Sequence, residues 1–83
     1  MISLKEIEAI ENHIEKTRFA GESVDETTFT ILKKFLTDQL IECIGSPSGT
    51  TRRAAVRVSG QFTSMTKEHQ KRVIFAMSSK MKM

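Results

Sequence analysis

At 83 residues, 39% hydrophobic and 28% charged, the chain has room for one domain with a modest core and a thin stability margin. Chains this short commonly add a disulfide, a metal or a second subunit. Cys43 is the only cysteine, which excludes an intrachain disulfide, and Cys43, His13 and His69 show no metal-ligand spacing. Self-association, as a homodimer, is the remaining remedy, and no cofactor is expected.

The net charge of +3 is unevenly divided. Residues 1–47 carry five basic and nine acidic side chains, a net of −4, whereas residues 48–83 carry eight basic and one acidic, a net of +7. Such asymmetry between halves is the most informative functional feature of the sequence. The N-terminus is acidic and amphipathic rather than basic and then apolar, so no signal peptide is expected. The longest apolar run, Val73 to Met77, is far short of the roughly 20 residues that span a bilayer. A lone thiol among isoleucines fits a reducing compartment. The expectation is a cytoplasmic protein with no membrane and no small-molecule substrate.

The spacing predicts a first helix over about 3–18. Ser3 and Glu6 form a capping box. Leu4, Ile7, Ile10, Ile14 and Thr17 make a narrow stripe of the width found in helical hairpins and coiled coils. Glu11 and Glu15 are a like-charge pair costing a few tenths of a kcal/mol or so, which makes this helix dependent on its neighbours. Phe19 to Glu22 then form a short connection with Gly21 as pivot.

The second helix, about 24–44, is the strongest element. Ser23 and Glu26 read as its capping box, with Asp25 and Glu26 suiting the positive end of the helix dipole. Its stripe runs Phe29, Leu32, Phe35 with Leu36, Leu40 and Ile44. Gly45 offers a left-handed residue to end it, and Pro47 forbids continuation. A short link makes the first two helices an antiparallel hairpin, with the isoleucine stripe against the Phe/Leu stripe. The run F-A-G-E-S-V-D from Phe19 to Asp25, followed by an amphipathic helix, resembles the helical hairpin of small enterobacterial biofilm and stress regulators.

Ser46 to Thr51 is a loop by its proline, glycine and hydroxyl content. Arg52 to Phe62 fits a helix with Ala55, Val58 and Phe62 on one face and Thr50 or Thr51 as cap. It also fits a strand with Val56, Val58 and Phe62 alternating against Arg57, Ser59 and Gln61. No second alternating run exists to pair with such a strand, so helix is preferred over about 52–61. Thr66 caps a last helix over about 67–79, whose stripe is Gln70, Val73, Ile74, Met77 and Met81. The expected fold is all-α: an acidic hairpin over 1–45, a loop at 46–51 and a basic part over 52–83, in a single domain.

Two binding surfaces emerge. Arg52, Arg53, Arg57, Lys71 and Arg72 could neutralise phosphates in DNA or RNA, or an anionic partner, because the arginine fork binds phosphate bidentately. The plain alternative is a solvated cationic face, or one that docks on the acidic first helix. A helix-turn-helix with Gly60 at its turn fails, since the positions to be buried fall on Gln61, Thr66 and His69. With no Tyr or Trp and most phenylalanines at core spacing, a base-stacking platform is poorly supported as well. The apolar stripes, including Ile7, Ile10, Ile14, Met77 and Met81, exceed what so small a monomer covers, and flexible methionines suit a docking face.

Catalysis has no positive signal. Cys43 lacks a base at recognisable spacing, His13 and His69 read as surface side chains, and S-P-S-G-T-T lacks the lysine and glycine spacing of a phosphate loop. The reading is a non-enzymatic regulatory protein that binds a macromolecular partner, a protein in preference to nucleic acid.

Overall fold

In the computed structural model, which describes residues 2–81 apart from the side chains of residues 79–81, Ser3 and Glu6 close the first helix as their spacing predicts. The Ser3 N–H donates to Glu6 Oε1 at 2.8 Å and the Glu6 N–H to Ser3 Oγ at 3.3 Å. Four helices follow in order among the described residues, with no strand: α1 Leu4–Lys16, α2 Glu26–Ile44, α3 Gly49–Ser64 and α4 Lys67–Met81. Residues 52–62 are therefore helical.

Several ends differ from the sequence reading, each for a local reason. Helix α2 is capped by Asp25, whose Oδ1 accepts the Thr28 N–H at 2.7 Å, and not by Ser23. The segment before it is held outside the helix because the Val24 N–H donates to the Lys71 carbonyl at 3.4 Å. Gly45 has φ −86°, so no left-handed residue ends α2. The turn instead tightens, with Gly45 N–H to Glu42 O and Ser46 N–H to Cys43 O, each 3.1 Å. Ser48, one residue past Pro47, caps α3 by accepting the Thr51 N–H, which displaces Thr50 and Thr51 from that role. Thr66 Oγ1 accepts the His69 N–H at the start of α4 as expected.

One core cluster runs through all four helices: Ile7, Ile10 and Ile14; Phe29, Leu36, Leu40 and Cys43; Ala54, Ala55, Val58 and Phe62; Val73 and Ile74. Leu32 and Met77 pack against its edge. The side chains of Ala54 and Ala55 are small enough to let α3 lie close in, and α3 packs most extensively on α2 and then on α1. Helix α4 rests on α1 and, less, on α2. Helices α1 and α2 touch only marginally, as do α3 and α4. The main seams thus lie between other pairs, and the isoleucine stripe of α1 meets α3 and α4 before it meets α2. The start of α1 still reaches the end of α2, where Cys43 Sγ donates to the Ile2 carbonyl at 3.4 Å.

Gly21 has φ +119°, a region that side chains with a Cβ rarely enter, and it turns the α1–α2 connection as predicted. Gly45 has an ordinary φ and only a van der Waals neighbour for an added Cβ. Gly21→Ala should therefore cost about 1–2 kcal/mol in urea denaturation, and Gly45→Ala less than about 0.5 kcal/mol. Equal costs at the two positions would contradict the assigned backbone.

Candidate functional site

The five cations expected to meet an anionic partner fall in four places. Arg57 is engaged by α1: its Nε and Nη2 donate to Glu11 Oε2 and Oε1 at 2.8 and 3.1 Å. The Gln61 amide adds a third donor to the same carboxylate at 3.1 Å. Lys71 joins Lys67 on Glu26, at 2.9 and 2.7 Å. Arg72 closes the end of α1, donating from Nε to the Thr17 carbonyl at 2.8 Å and from Nη2 to the Arg18 carbonyl at 3.0 Å. A cation at these orphan carbonyls suits the negative end of the helix dipole.

Arg52 and Arg53 remain on the first turns of α3. Arg52 Nη1 donates to the Ser46 carbonyl at 2.9 Å, which fixes its direction. Arg53 has no partner among the described residues, and its side chain lies over Gly49 with that of Arg52. With Arg57 they rim a recess of about 300 Å³ whose other lining residues are Ile44 and Val56. Three of the five cations therefore tie helices together, and two face outward.

The pairing sets local electrostatics. The Arg57 fork, helped by Gln61, holds Glu11 below the usual carboxylate range, and Glu11 in turn raises Arg57. Lys67 and then Lys71 hold Glu26 down to about 2. Three ammonium groups also surround the buried Phe29 ring, Lys33 at 5.4 Å and Lys67 and Lys71 each at 5.8 Å from its centroid. Sequence reasoning does not find Lys33 and Lys67. Lys33 lies one helical turn after Phe29 at i+4, a spacing that could have found it, whereas nothing in the sequence places residue 67 on that ring; the α2–α4 packing does.

Of the residues expected on a partner-facing stripe, Ile7, Ile10 and Ile14 face inward and are fully or almost fully buried. Met77 is half-buried at the edge of the core, and the Met81 side chain lies outside the described residues. The exposed apolar side chains are others: Phe19 in the α1–α2 connection, Ile31, Phe35, Ile41 and Ile44 on α2, and Val56 on α3. The stripe pattern puts Phe35 in the core beside Leu36, yet Phe35 is 55% exposed and Leu36 is 3% exposed. Adjacent helical positions differ by about 100° of rotation, and the strip α2 buries, Phe29, Leu36, Leu40 and Cys43, is too narrow to take in Phe35 as well. Phe35 borders a recess of about 410 Å³ between α1 and α2, lined mainly by Ile2, Ala9, Ile10, Leu36 and Met77 with Glu6, His13 and Gln39 at its rim.

A third recess, polar and of about 500 Å³, lies among α1, α3 and α4. His69, expected at the surface, is buried there, and its Nε2 lies 2.9 Å from the Ile14 carbonyl. A carbonyl only accepts, so Nε2 carries the proton. Gln70, on the expected apolar stripe, is buried and donates to the Phe62 carbonyl at 2.6 Å. Gln61 Oε1 is buried without a hydrogen-bond partner among the described residues. Cys43 is fully buried and burial pushes its thiol up, which is the chemistry of a packed thiol rather than of a nucleophile. Among the described residues no cluster of His, Cys, Asp or Glu could hold a metal, and no helix is long and apolar enough to cross a membrane.

No protein-family description, no curated protein and no solved structure matches this chain. The functional reading therefore rests on its own surface.

Glu26 provides a pH test of the α2–α4 seam. Its folded-state pKa, about 2, lies below its ordinary value of 4.5, so its contribution to stability is fully present above about pH 4.5 and is lost as pH falls towards 2. Glu26→Gln should remove that part of the acid dependence of the urea midpoint and leave the dependence below about pH 2 unchanged. Superimposable pH profiles for the two proteins would refute the triad of Glu26, Lys67 and Lys71.

Proposed function

We propose that this chain is a small non-enzymatic, cytoplasmic regulatory protein that binds a protein partner through helical faces. In this reading it also pairs with a second copy of itself across the α1–α2 groove. The observation that carries the reading is Phe35, half exposed beside an apolar recess it does not fill. Burying the exposed part of a phenylalanine is worth on the order of 1 kcal/mol, and filling the recess adds contacts to Ile10, Leu36 and Met77. A side chain and a cavity on one face are self-complementary, as a two-fold interface requires.

Charge supports the same arrangement. Beyond Ala9 and His13, the outer edge of α1 carries Lys5 and Lys16, and beyond Phe35 and Gln39 the outer edge of α2 carries Glu42. The start of α1 lies beside the end of α2, so helical periodicity sets Lys5 and Glu42 at similar height outside the opposite banks of the groove, with Glu6 at its rim. A two-fold axis along the groove sets α1 of one copy over α2 of the other and brings these opposite charges together. Cys43 and His69 are both committed to packing and to backbone carbonyls.

Sedimentation equilibrium tests the pairing. The wild-type chain should show a concentration-dependent dimer, and Phe35→Asp should sediment as a monomer with an unchanged helical circular dichroism spectrum. Lys5→Glu and Glu42→Lys should each weaken the dimer several-fold, and the double variant should regain it. A wild-type protein that stays monomeric at every concentration would sink this reading of the groove.

A further inference from the structure

A different corner of the molecule, where the end of α2 meets the start of α3, combines features the fold does not need. Helix α3 contains Arg52, Arg53 and Arg57 and no acidic residue. A Cβ placed on Gly49 would lie 3.4 Å from Arg53 Nη1 and 3.8 Å from Arg52 Nη2, so two guanidinium groups converge over one glycine. No carboxylate of the described residues joins them: Glu11 is held by Arg57 and Gln61, on the far bank of the recess. Like charges held close together are unfavourable unless an anion is shared between them. Beside them Ile44 and Val56 form an apolar floor, 37% and 56% exposed, and Ile41 continues it one helical turn back at 58%.

Gly60 lies on the same outer face, one turn beyond Val56. Nothing lies within 4 Å of the Cβ it lacks, so the packing of the chain does not call for a glycine there. In a helix interior it costs about 0.5–1 kcal/mol relative to alanine. Its consequence is a smooth surface where another backbone can approach closely.

We propose that this α2–α3 corner is the docking surface for an acidic amphipathic segment of a partner protein. An apolar side chain of that segment rests on Ile44 and Val56, and flanking carboxylates accept from the Arg52 and Arg53 forks. The pairing of an apolar floor with cations decides between partner classes. A phosphodiester backbone needs the cations alone and gains nothing from Ile44 and Val56, and the recess offers no aromatic ring on which a base could stack. An amphipathic acidic helix uses both, as in the helix-in-groove mode of recognition. This inference rests on the reading that the chain acts on a protein, and it is independent of the self-pairing at Phe35.

The probe is a fluorescein-labelled synthetic helical peptide with leucines at i, i+4 and i+7 flanked by glutamates, followed by fluorescence polarisation at low and moderate salt. Saturable, salt-sensitive binding is expected. Arg53→Glu and Val56→Asp, both at exposed positions, should each weaken it about tenfold or more while leaving the thermal melt in place. A control peptide with lysine for glutamate should not bind, and one with serine for leucine should bind several-fold more weakly. Absence of saturable binding at low salt, or wild-type affinity in Arg53→Glu, overturns the proposal. So does tighter binding of random-sequence duplex DNA than of the Glu/Leu peptide, which would make the corner a site for nucleic acid. Because sedimentation reads the Phe35 groove separately, a failed peptide with an intact dimer rejects this surface alone.

Discussion

The arrangement depends on how α4 closes the end of α1. A helix of thirteen residues leaves its last carbonyls without intrahelical donors. Here α4 supplies them: His69 Nε2 to the Ile14 carbonyl, and the Arg72 fork to those of Thr17 and Arg18. Thr17 and Gly21 continue the same contact, for the Arg72 stem lies 3.8 Å from the Cβ position of Gly21. Backbone geometry is thereby tied to side chains more than fifty residues away. Once α4 is fixed on α1, Lys67 and Lys71 face the start of α2 and reach Glu26, and Val73 and Ile74 enter the core.

This closure also explains the charge asymmetry of the chain. An acidic first half and a basic second half suggest a cationic surface offered to a polyanion. In the folded chain much of that asymmetry is consumed across helix seams, by Glu11 with Arg57 and Glu26 with Lys67 and Lys71. Exposed pairs of this kind contribute at most about 1 kcal/mol each, so they select which helices meet more than they stabilise the fold. Burial of Ile7, Leu40, Val58 and Val73 supplies the larger share. Among the described side chains of the second half, Arg52, Arg53 and Arg72 meet no carboxylate; with Arg72 spent on the end of α1, what is left is local, the pair Arg52 and Arg53, and a local cationic pair fits a short acidic segment better than an extended phosphate backbone.

Helices α1, α2 and α4 are legible because each carries its own signal: a capping box at Ser3 and Glu6, a 3.6-residue stripe from Phe29 to Leu40, and Thr66 before the last helix. The identity of the neighbours is not. Isoleucines at 7, 10 and 14 state that α1 has a buried face and are silent on what covers it, and α3, the most ambiguous segment, proved to be a principal packing partner of both α1 and α2. Cap positions shifted for a related reason. Ser23 could have capped α2 in isolation, but the hydrogen bond from Val24 to Lys71, a tertiary contact, holds that stretch extended and leaves the role to Asp25. His69 reads as a surface residue in the sequence because its partner is a main-chain carbonyl on another helix, which no side-chain pattern reveals.

Where the sequence reading departed from the structure at the surface, the departures have a common cause. Phe35 and Ile44 continue an apolar stripe that is wider than the strip α2 buries; Val56, outside the expected face of Ala55, Val58 and Phe62, is exposed as the helix reading has it. A chain selected only to fold would gain solubility by making these positions polar, and would gain helix stability by replacing Gly60. Local choices that work against the isolated fold tend to mark surfaces with a further role. In this chain they gather at two places, the α1–α2 groove beside Phe35 and the α2–α3 corner beside Arg53. The two differ in charge: the groove has Glu6 at its rim and, further out, lysine beyond α1 and glutamate beyond α2, a mixed edge that suits a second copy of the same face. The corner is edged by arginine alone, which suits a partner that brings the carboxylates itself.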